Sequence, residues 1–306
     1  MRAFLKKTWY TFVDKPPSVF FGALFVKLVS DRYLRAIQNN IFTDQGPESF
    51  AAKCIRNWLA YDYYSSNDSA KVKVNREKYW GSTAGKKWHE TFKSAHVQEG
   101  NLSHEYQDTL AKSILVKQLV EFTTHNRPDK GWVVVEIGTG NGFLLEYLSS
   151  QLNGITRFVG IDLNAEQVAE NQSVFADSST EYIHGEITEW VTANQGVKQH
   201  VIFVTCGVLQ YFAEKELREL FLLMGKSFGI SVLAFNEPVS FDLQNNPETT
   251  SRGLMACLFN YPAILAECGF HINSQHIEHD LEKFPHFDRM NLVASNGCAA
   301  NEVELR

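Results

Sequence analysis

Long apolar runs are what this 306-residue chain most clearly lacks. The longest, Ser18 to Val29, is about twelve residues and contains Lys27, whereas a helix needs roughly 20 to span a bilayer. A membrane-spanning helix is therefore not expected. Nor does the start read as a secretory leader. Asp14, Lys15, Pro16 and Pro17 part the basic beginning from the apolar stretch, and no small-residue cleavage site follows. Cysteines are few and scattered. Cys54, Cys206, Cys257, Cys268 and Cys298 are odd in number and include no CxxC pair, which argues against a disulfide framework and a structural zinc site. The ten histidines form no HxxxH cluster, so no metal site is expected. A reducing cytoplasm is the expected location. No repeat or low-complexity tract is visible.

What is present supports a large core: 44% of residues are hydrophobic and 13% aromatic. The net charge is −6, so a general nucleic-acid surface is not expected. The charge is uneven. Residues 1–40 hold seven Lys/Arg against two acids, a net of +5, which leaves −11 for the rest. A basic, aromatic arm thus precedes an acidic body.

The arm reads as two helical pieces broken at Pro16-Pro17. Phe20, Phe21, Leu24, Phe25, Leu28 and Val29 fall at helical spacing, with Lys27, Arg32 and Arg35 nearby. Such a helix can pack on the body or on a second copy of the chain, as in a homodimer. It is also suited to lie on an anionic membrane or against a partner protein. Helical pattern continues over 45–75 and closes in the turn-rich Ser65-Ser66-Asn67-Asp68-Ser69. Beyond it, Tyr79, Trp80 and Trp88 sit among Gly, Lys and His in Asn75–His89. This segment reads either as a lid over a pocket or as a surface stretch pinned by its aromatics. Residues 1–104 are expected to form a helical extension with a substrate lid, 105–300 the main domain, and 301–306 a tail.

From Glu105 a helix is expected to run toward Thr124. Val133 to Ile137 is an apolar run closed by glycines, the pattern of a buried parallel strand. Strand and helix then alternate: Arg157–Asp162, Ala165–Phe175, Glu181–Ile183, Val201–Val204, Glu214–Phe228 and Ile230–Phe235. A helix at Pro262–Cys268 and strands at Phe270–Ile277 and Met290–Ala294 close the chain. Alternation of this kind means an α/β fold, a doubly wound, mainly parallel sheet with helices on both faces.

The chemistry centres on Glu136-Ile137-Gly138-Thr139-Gly140-Asn141-Gly142. Its GxGxG spacing departs from the dinucleotide pattern GxGxxG. Asp162 follows about twenty residues later at the end of the second strand, where a carboxylate can hold ribose hydroxyls. Glu186 ends the third. Taken singly, each acid is as readily a solvated strand-end residue.

Together these residues resemble the class I S-adenosylmethionine-dependent methyltransferases. Glu136–Gly142 is similar to the family's first motif, and Gly160-Ile161-Asp162 to its second, whose acid holds the ribose. Gly185-Glu186-Ile187 is similar to the segment that reaches the adenine amino group, with Glu for the more usual Asp. Gly207–Phe212 resembles the segment near the methionine end, and Glu267–Phe270 the turn into the last two strands. The resemblance covers about residues 105–296. It implies a seven-stranded Rossmann-like sheet with its last strand antiparallel. It implies S-adenosylmethionine as cofactor, held by Glu136, Gly138, Thr139, Gly140, Asn141, Gly142, Asp162, Leu163, Glu186, Ile187, Thr205 and Cys206. The charge agrees: that cofactor is a sulfonium without phosphates, whereas the pyrophosphate of a nicotinamide dinucleotide would be repelled by Glu136.

Methyl transfer demands alignment and exclusion of water, and a hydroxyl acceptor needs a base. His89, Tyr211 and Glu237 are the candidates, with His184 beside them, and each is as readily structural. No Asp/Asn-Pro-Pro-Tyr motif follows the fourth strand, and no acid stands at Thr205-Cys206-Gly207 to hold a metal. The expected acceptor is a hydroxyl on a sugar, a glycan or another small polar molecule. An aromatic secondary metabolite fits the aromatic segment as well, and a non-catalytic cofactor-binding module is the alternative class.

Overall fold

The computed structural model describes residues 17–30, 50–51, 54–55, 58, 69–81, 90, 97–98, 101–102, 104–176, 179–196, 199–241, 243, 249–253, 256–280, 282 and 287–297. Two helices come first, α1 (Pro17–Val26) and α2 (Ser69–Trp80), then a short hairpin of β1 (Val97–Gln98) and β2 (Asn101–Leu102). Phe25, Val26 and Val29 pack against Ile55, Trp58 and Tyr79, so α1 is docked on the extension itself. Beside these, Phe21 and Leu24 of α1 and Leu28 just past its end are exposed to solvent.

The expected helix over 105–124 is two helices, α3 (His104–Lys112) and α4 (Ile114–His125). Ser113 separates them because its backbone is extended at ψ 127° and its hydroxyl caps α4 by accepting from Val116 N. The alternation then runs β3 (Trp132–Ile137), α5 (Phe143–Gln151), β4 (Ile155–Asp162), α6 (Ala165–Val174), β5 (Thr180–His184), α7 (Ile187–Ala193), β6 (His200–Cys206), α8 (Glu214–Ser227) and β7 (Ile230–Val239). A hairpin, β8 (Thr250–Gly253) and β9 (Ala256–Leu258), leads to α9 (Tyr261–Glu267), β10 (His271–Glu278) and β11 (Asp288–Ser295). The α7 helix and the β8–β9 hairpin were not legible in the sequence pattern.

The seven-stranded sheet has the order β10-β11-β7-β6-β3-β4-β5. Strands β3 to β7 are parallel, and β11 is antiparallel to both its neighbours. This agrees with the expected seven-stranded methyltransferase-type sheet. Every residue of β3 is buried, because both its faces are covered. Val133, Val135, Phe203, Leu233 and Phe235 point to one layer with Trp190, Leu220 and Phe221. Their alternates Val134, Ile202, Val204, Val232 and Ala234 point to the other, with Leu119, Leu145 and Leu148.

Two consequences place the site. The chain leaves β3 toward β4 and β5 on one side, then crosses to β6 and β7 on the other. The crossovers diverge over the carboxyl ends of β3 and β6, where open α/β sheets bind ligands. Second, β7 runs on to Val239 because β11 pairs along it, Met290 opposite Glu237 and Asp288 opposite Val239. Glu237 therefore lies within β7, which runs past the Phe235 where the sequence pattern ends the strand. No helix of the described residues is long and apolar enough to cross a membrane.

Candidate active site

The glycine turn after β3 is tied to the end of β4. Gly138 N and Thr139 N both donate to Ile161 O, at 2.8 and 3.0 Å, and Gly140 N donates to Asp162 Oδ2 at 2.8 Å. Gly138 has φ +67°, and a Cβ there would lie 2.7 Å from Val208 Cγ2. The turn thus needs glycine for conformation and for close approach. Gly142 corrects an expectation. It starts α5 at φ +77° with its open side against the Tyr182 ring, where a Cβ would lie 2.6 Å from Oη. It is a packing glycine and does not border the cavity.

That cavity, about 830 Å³, lies over the carboxyl ends of the strands. Its size falls within the range of ligand pockets, roughly 300–1,000 Å³. Gly138, Thr139, Gly140, Asn141, Leu163, Ile187 and Cys206 line it, as expected of cofactor residues, and so do the three acids. All three acids are buried. Asp162 accepts from Gly140 N and, through Oδ1, from Asn164 N at 2.9 Å. Glu136 accepts from Thr139 Oγ1 at 2.7 Å. Burial, opposed by that hydroxyl and reinforced by Asp162, pushes its carboxyl up to about 8. Burial also raises Glu186, but Arg76 and Thr188 outweigh it and hold the carboxyl below its ordinary range.

Three of the remaining expectations are corrected. Thr205 is wholly buried and donates to Glu237 Oε1 at 3.3 Å, away from the cavity. Glu237 is equally buried, and its Oε1 accepts from Val208 N and Leu209 N at 2.8 and 3.0 Å. It braces the turn after β6 from beneath and does not border the cavity, so it is not placed as a base. His184 is exposed at the end of β5, off the cavity wall. Tyr211 does line the cavity, its ring 5.0 Å from that of Trp80. His89 lies outside the described residues.

The structure adds residues the motifs did not name. Tyr106 of α3 lines the cavity, and burial, with Cys206 and Glu136 nearby, raises its phenol. It is suited to donate a hydrogen bond rather than act as a base. Asn236, Glu278, Arg289 and Asn291 also line the cavity, as a linked polar arm of its wall. Arg289 donates to Asn236 Oδ1 from Nε at 2.6 Å and to Asn236 O from Nη2 at 3.0 Å. Asn236 Nδ2 donates to Asn291 Oδ1 at 2.7 Å, and Asn291 Nδ2 to Glu278 Oε2 at 2.8 Å. These residues are distant in sequence, and only the pairing of β7, β10 and β11 gathers them. Arg76 of α2 was missed for the same reason.

Residues 134–226 match the model of a family described as a methyltransferase domain. Residues 134–226 are a methyltransferase domain. The match spans β3 to α8, which carry the glycine turn and all three acids. None of the curated proteins compared with the chain matches it. Solved structures that resemble it include a magnesium protoporphyrin IX methyltransferase from Synechocystis with bound S-adenosylmethionine. That likeness has 16% identity, 74% of this chain and 97% of that one covered, and TM-score 0.48. A second is an S-adenosylmethionine-dependent methyltransferase from Leishmania major, with 12% identity, 77% and 89% covered, and TM-score 0.48. A third, from Clostridium acetobutylicum, has 13% identity, 64% and 97% covered, and TM-score 0.44.

The methyltransferase domain fits its cofactor on its own geometry. S-adenosylmethionine brings positive charge and no phosphate, and the cavity brings three buried acids, of which Glu186 is already paired with Arg76. Glu136, raised by its burial beside Asp162, is a group that a nearby cation would help to ionise.

Proposed function

We propose that this chain transfers a methyl group from S-adenosylmethionine to an oxygen of a small polar acceptor, a sugar or glycan hydroxyl, without a metal ion. The observation that carries this reading is that one cavity is lined by the three acids, by Cys206 and Val208, and by Asn236, Arg289 and Asn291. One end suits a cationic nucleoside and the other presents amide and guanidinium groups suited to a hydroxylated molecule.

The cofactor supplies an electrophilic methyl group. Asp162, held by Gly140 N and Asn164 N, would hold the ribose hydroxyls, and Glu136 would meet the cationic end. Cys206, Gly207 and Val208 form the junction between the two ends of the cavity. Asn236 and Arg289 orient the acceptor, and Tyr106 donates to it. His89 takes the hydroxyl proton in this reading. Its support is chain distance: His89 follows Trp80, which lines the cavity, by nine residues.

Titration calorimetry of the full chain with S-adenosylmethionine tests the reading. Binding in the micromolar range is expected, and Asp162→Ala should weaken it by about tenfold or more, the worth of a charge-assisted hydrogen bond. Absence of binding to the full chain would sink the enzyme. His89→Ala should lower turnover of a sugar acceptor while leaving cofactor affinity unchanged. The cytoplasm is the proposed setting, with peripheral contact to an anionic membrane through residues 1–40. Exposed Phe21, Leu24 and Leu28 beside the exposed Lys27 support that contact.

A further inference from the structure

The helix α2 lies outside the residues that match the methyltransferase family, yet it builds one wall of the cavity. Arg76, in its third turn, is only 3% exposed. Its Nη2 pairs with Glu186 Oε1. Nη1 and Nη2 also grip Glu216 at two points, both 2.8 Å. The guanidinium lies flat enough on Phe212 to bring Cζ to 3.7 Å from the ring centre. One turn on, Trp80 O accepts from Asn164 Nδ2 at 3.1 Å. Asn164 in turn donates its backbone N–H to Asp162. The helix is therefore fastened to the strand-end acids at both Glu186 and Asp162. Arg76, Trp80, Asp162, Glu186 and Phe212 all line the cavity.

One donor is left over. Arg76 Nε is buried and has no hydrogen-bond partner among the described residues. Buried donors in folded proteins are nearly always met, and this one belongs to a residue on the wall of a ligand cavity. The Nη2 of the same guanidinium pairs with Glu186, the acid at the strand end that the resemblance assigns to the adenine amino group. An adenine presents, next to that amino group, ring nitrogens that only accept.

We propose that Arg76 is a cofactor-binding residue supplied by the N-terminal extension. It orients the Glu186 carboxylate for the adenine amino group and offers its Nε–H to a ring nitrogen flanking that group. Docking of α2 and binding of the nucleoside are then one event. The inference rests on S-adenosylmethionine being the cofactor, and the wild-type titration tests that premise separately.

The test uses the full chain with adenosine, 1-deazaadenosine and 7-deazaadenosine as probes, in wild type and in Arg76→Lys. Lysine keeps a cation beside the two acids but has no Nε–H fork. In the wild type, one deaza analogue should bind about tenfold more weakly than adenosine. In Arg76→Lys that difference should vanish, and S-adenosylmethionine and S-adenosylhomocysteine should weaken by the same factor, since they share the adenine. Equal binding of all three probes by the wild type overturns the proposal without any variant. A deaza penalty that survives unchanged in Arg76→Lys overturns it as well. Wild-type failure to bind any adenosine compound would instead remove the premise.

Discussion

Glu136 shows how one side chain can work against the fold it sits in. Its carboxyl titrates near 8 in the folded chain, against an ordinary value of 4.5. Below 4.5 it is protonated whether the chain is folded or not. As the pH rises from 4.5 toward 8 the unfolded chain gives up the proton first, so the folded state loses stability over that window. Glu136→Gln should accordingly gain stability over the wild type as urea unfolding is repeated from pH 5 to pH 8. The same substitution should weaken S-adenosylmethionine by about tenfold or more, and wild-type affinity should rise toward pH 8. A stability difference that does not change with pH would contradict the assignment. Glu237 is the instructive contrast. It too is a buried acid at the sheet's edge, but its Oε1 is occupied by the amides of Val208 and Leu209. Residue type and approximate place were readable for both; which way each carboxylate turns was not.

At the scale of elements, Asn164 joins three of them. It caps α6 by accepting from Gln167 N at 3.1 Å, holds the end of α2 through Trp80 O, and meets Asp162 at the end of β4. Asn164→Ala should cost about 1–2 kcal/mol in urea unfolding, the usual worth of a cap, and should expose α2 to limited proteolysis sooner than the wild type. Unchanged cleavage would mean that α2 is held in place without the Asn164 bond. The α1 helix presents a different case. Leu24 and Leu28 are 49% and 72% exposed, so replacing both with Ser should leave the unfolding midpoint within about 0.5 kcal/mol. The same pair should abolish flotation with anionic liposomes if this face meets a membrane. Flotation equal to that of the unaltered chain would end that proposal. The parallel strands were legible because burial on both faces leaves an apolar run. The break at Ser113 was not, because the apolar spacing of α3 and α4 continues through it.

For the molecule as a whole, the site exists because the sheet order reverses between β3 and β6. A ligand seated there touches elements from α2 to β11 and should stabilise the entire fold by mass action. At a hundredfold excess over its dissociation constant, S-adenosylmethionine should add about 2.7 kcal/mol. That corresponds to a rise in melting temperature of roughly 4 °C, measurable by circular dichroism. An unchanged midpoint would contradict a site so placed. The sequence by itself determined the fold class, the glycine turn and the spacing of Glu136, Asp162 and Glu186, because alternating strand and helix patterns and local turns are short-range properties of a chain. Only the tertiary structure decided that Thr205, Gly142 and Glu237 face away from the cavity, and that Arg76, Tyr106 and Arg289 face into it. Arg76 meets Glu186 across 110 positions of sequence. No local pattern encodes such a meeting; it follows from how the extension packs on the sheet.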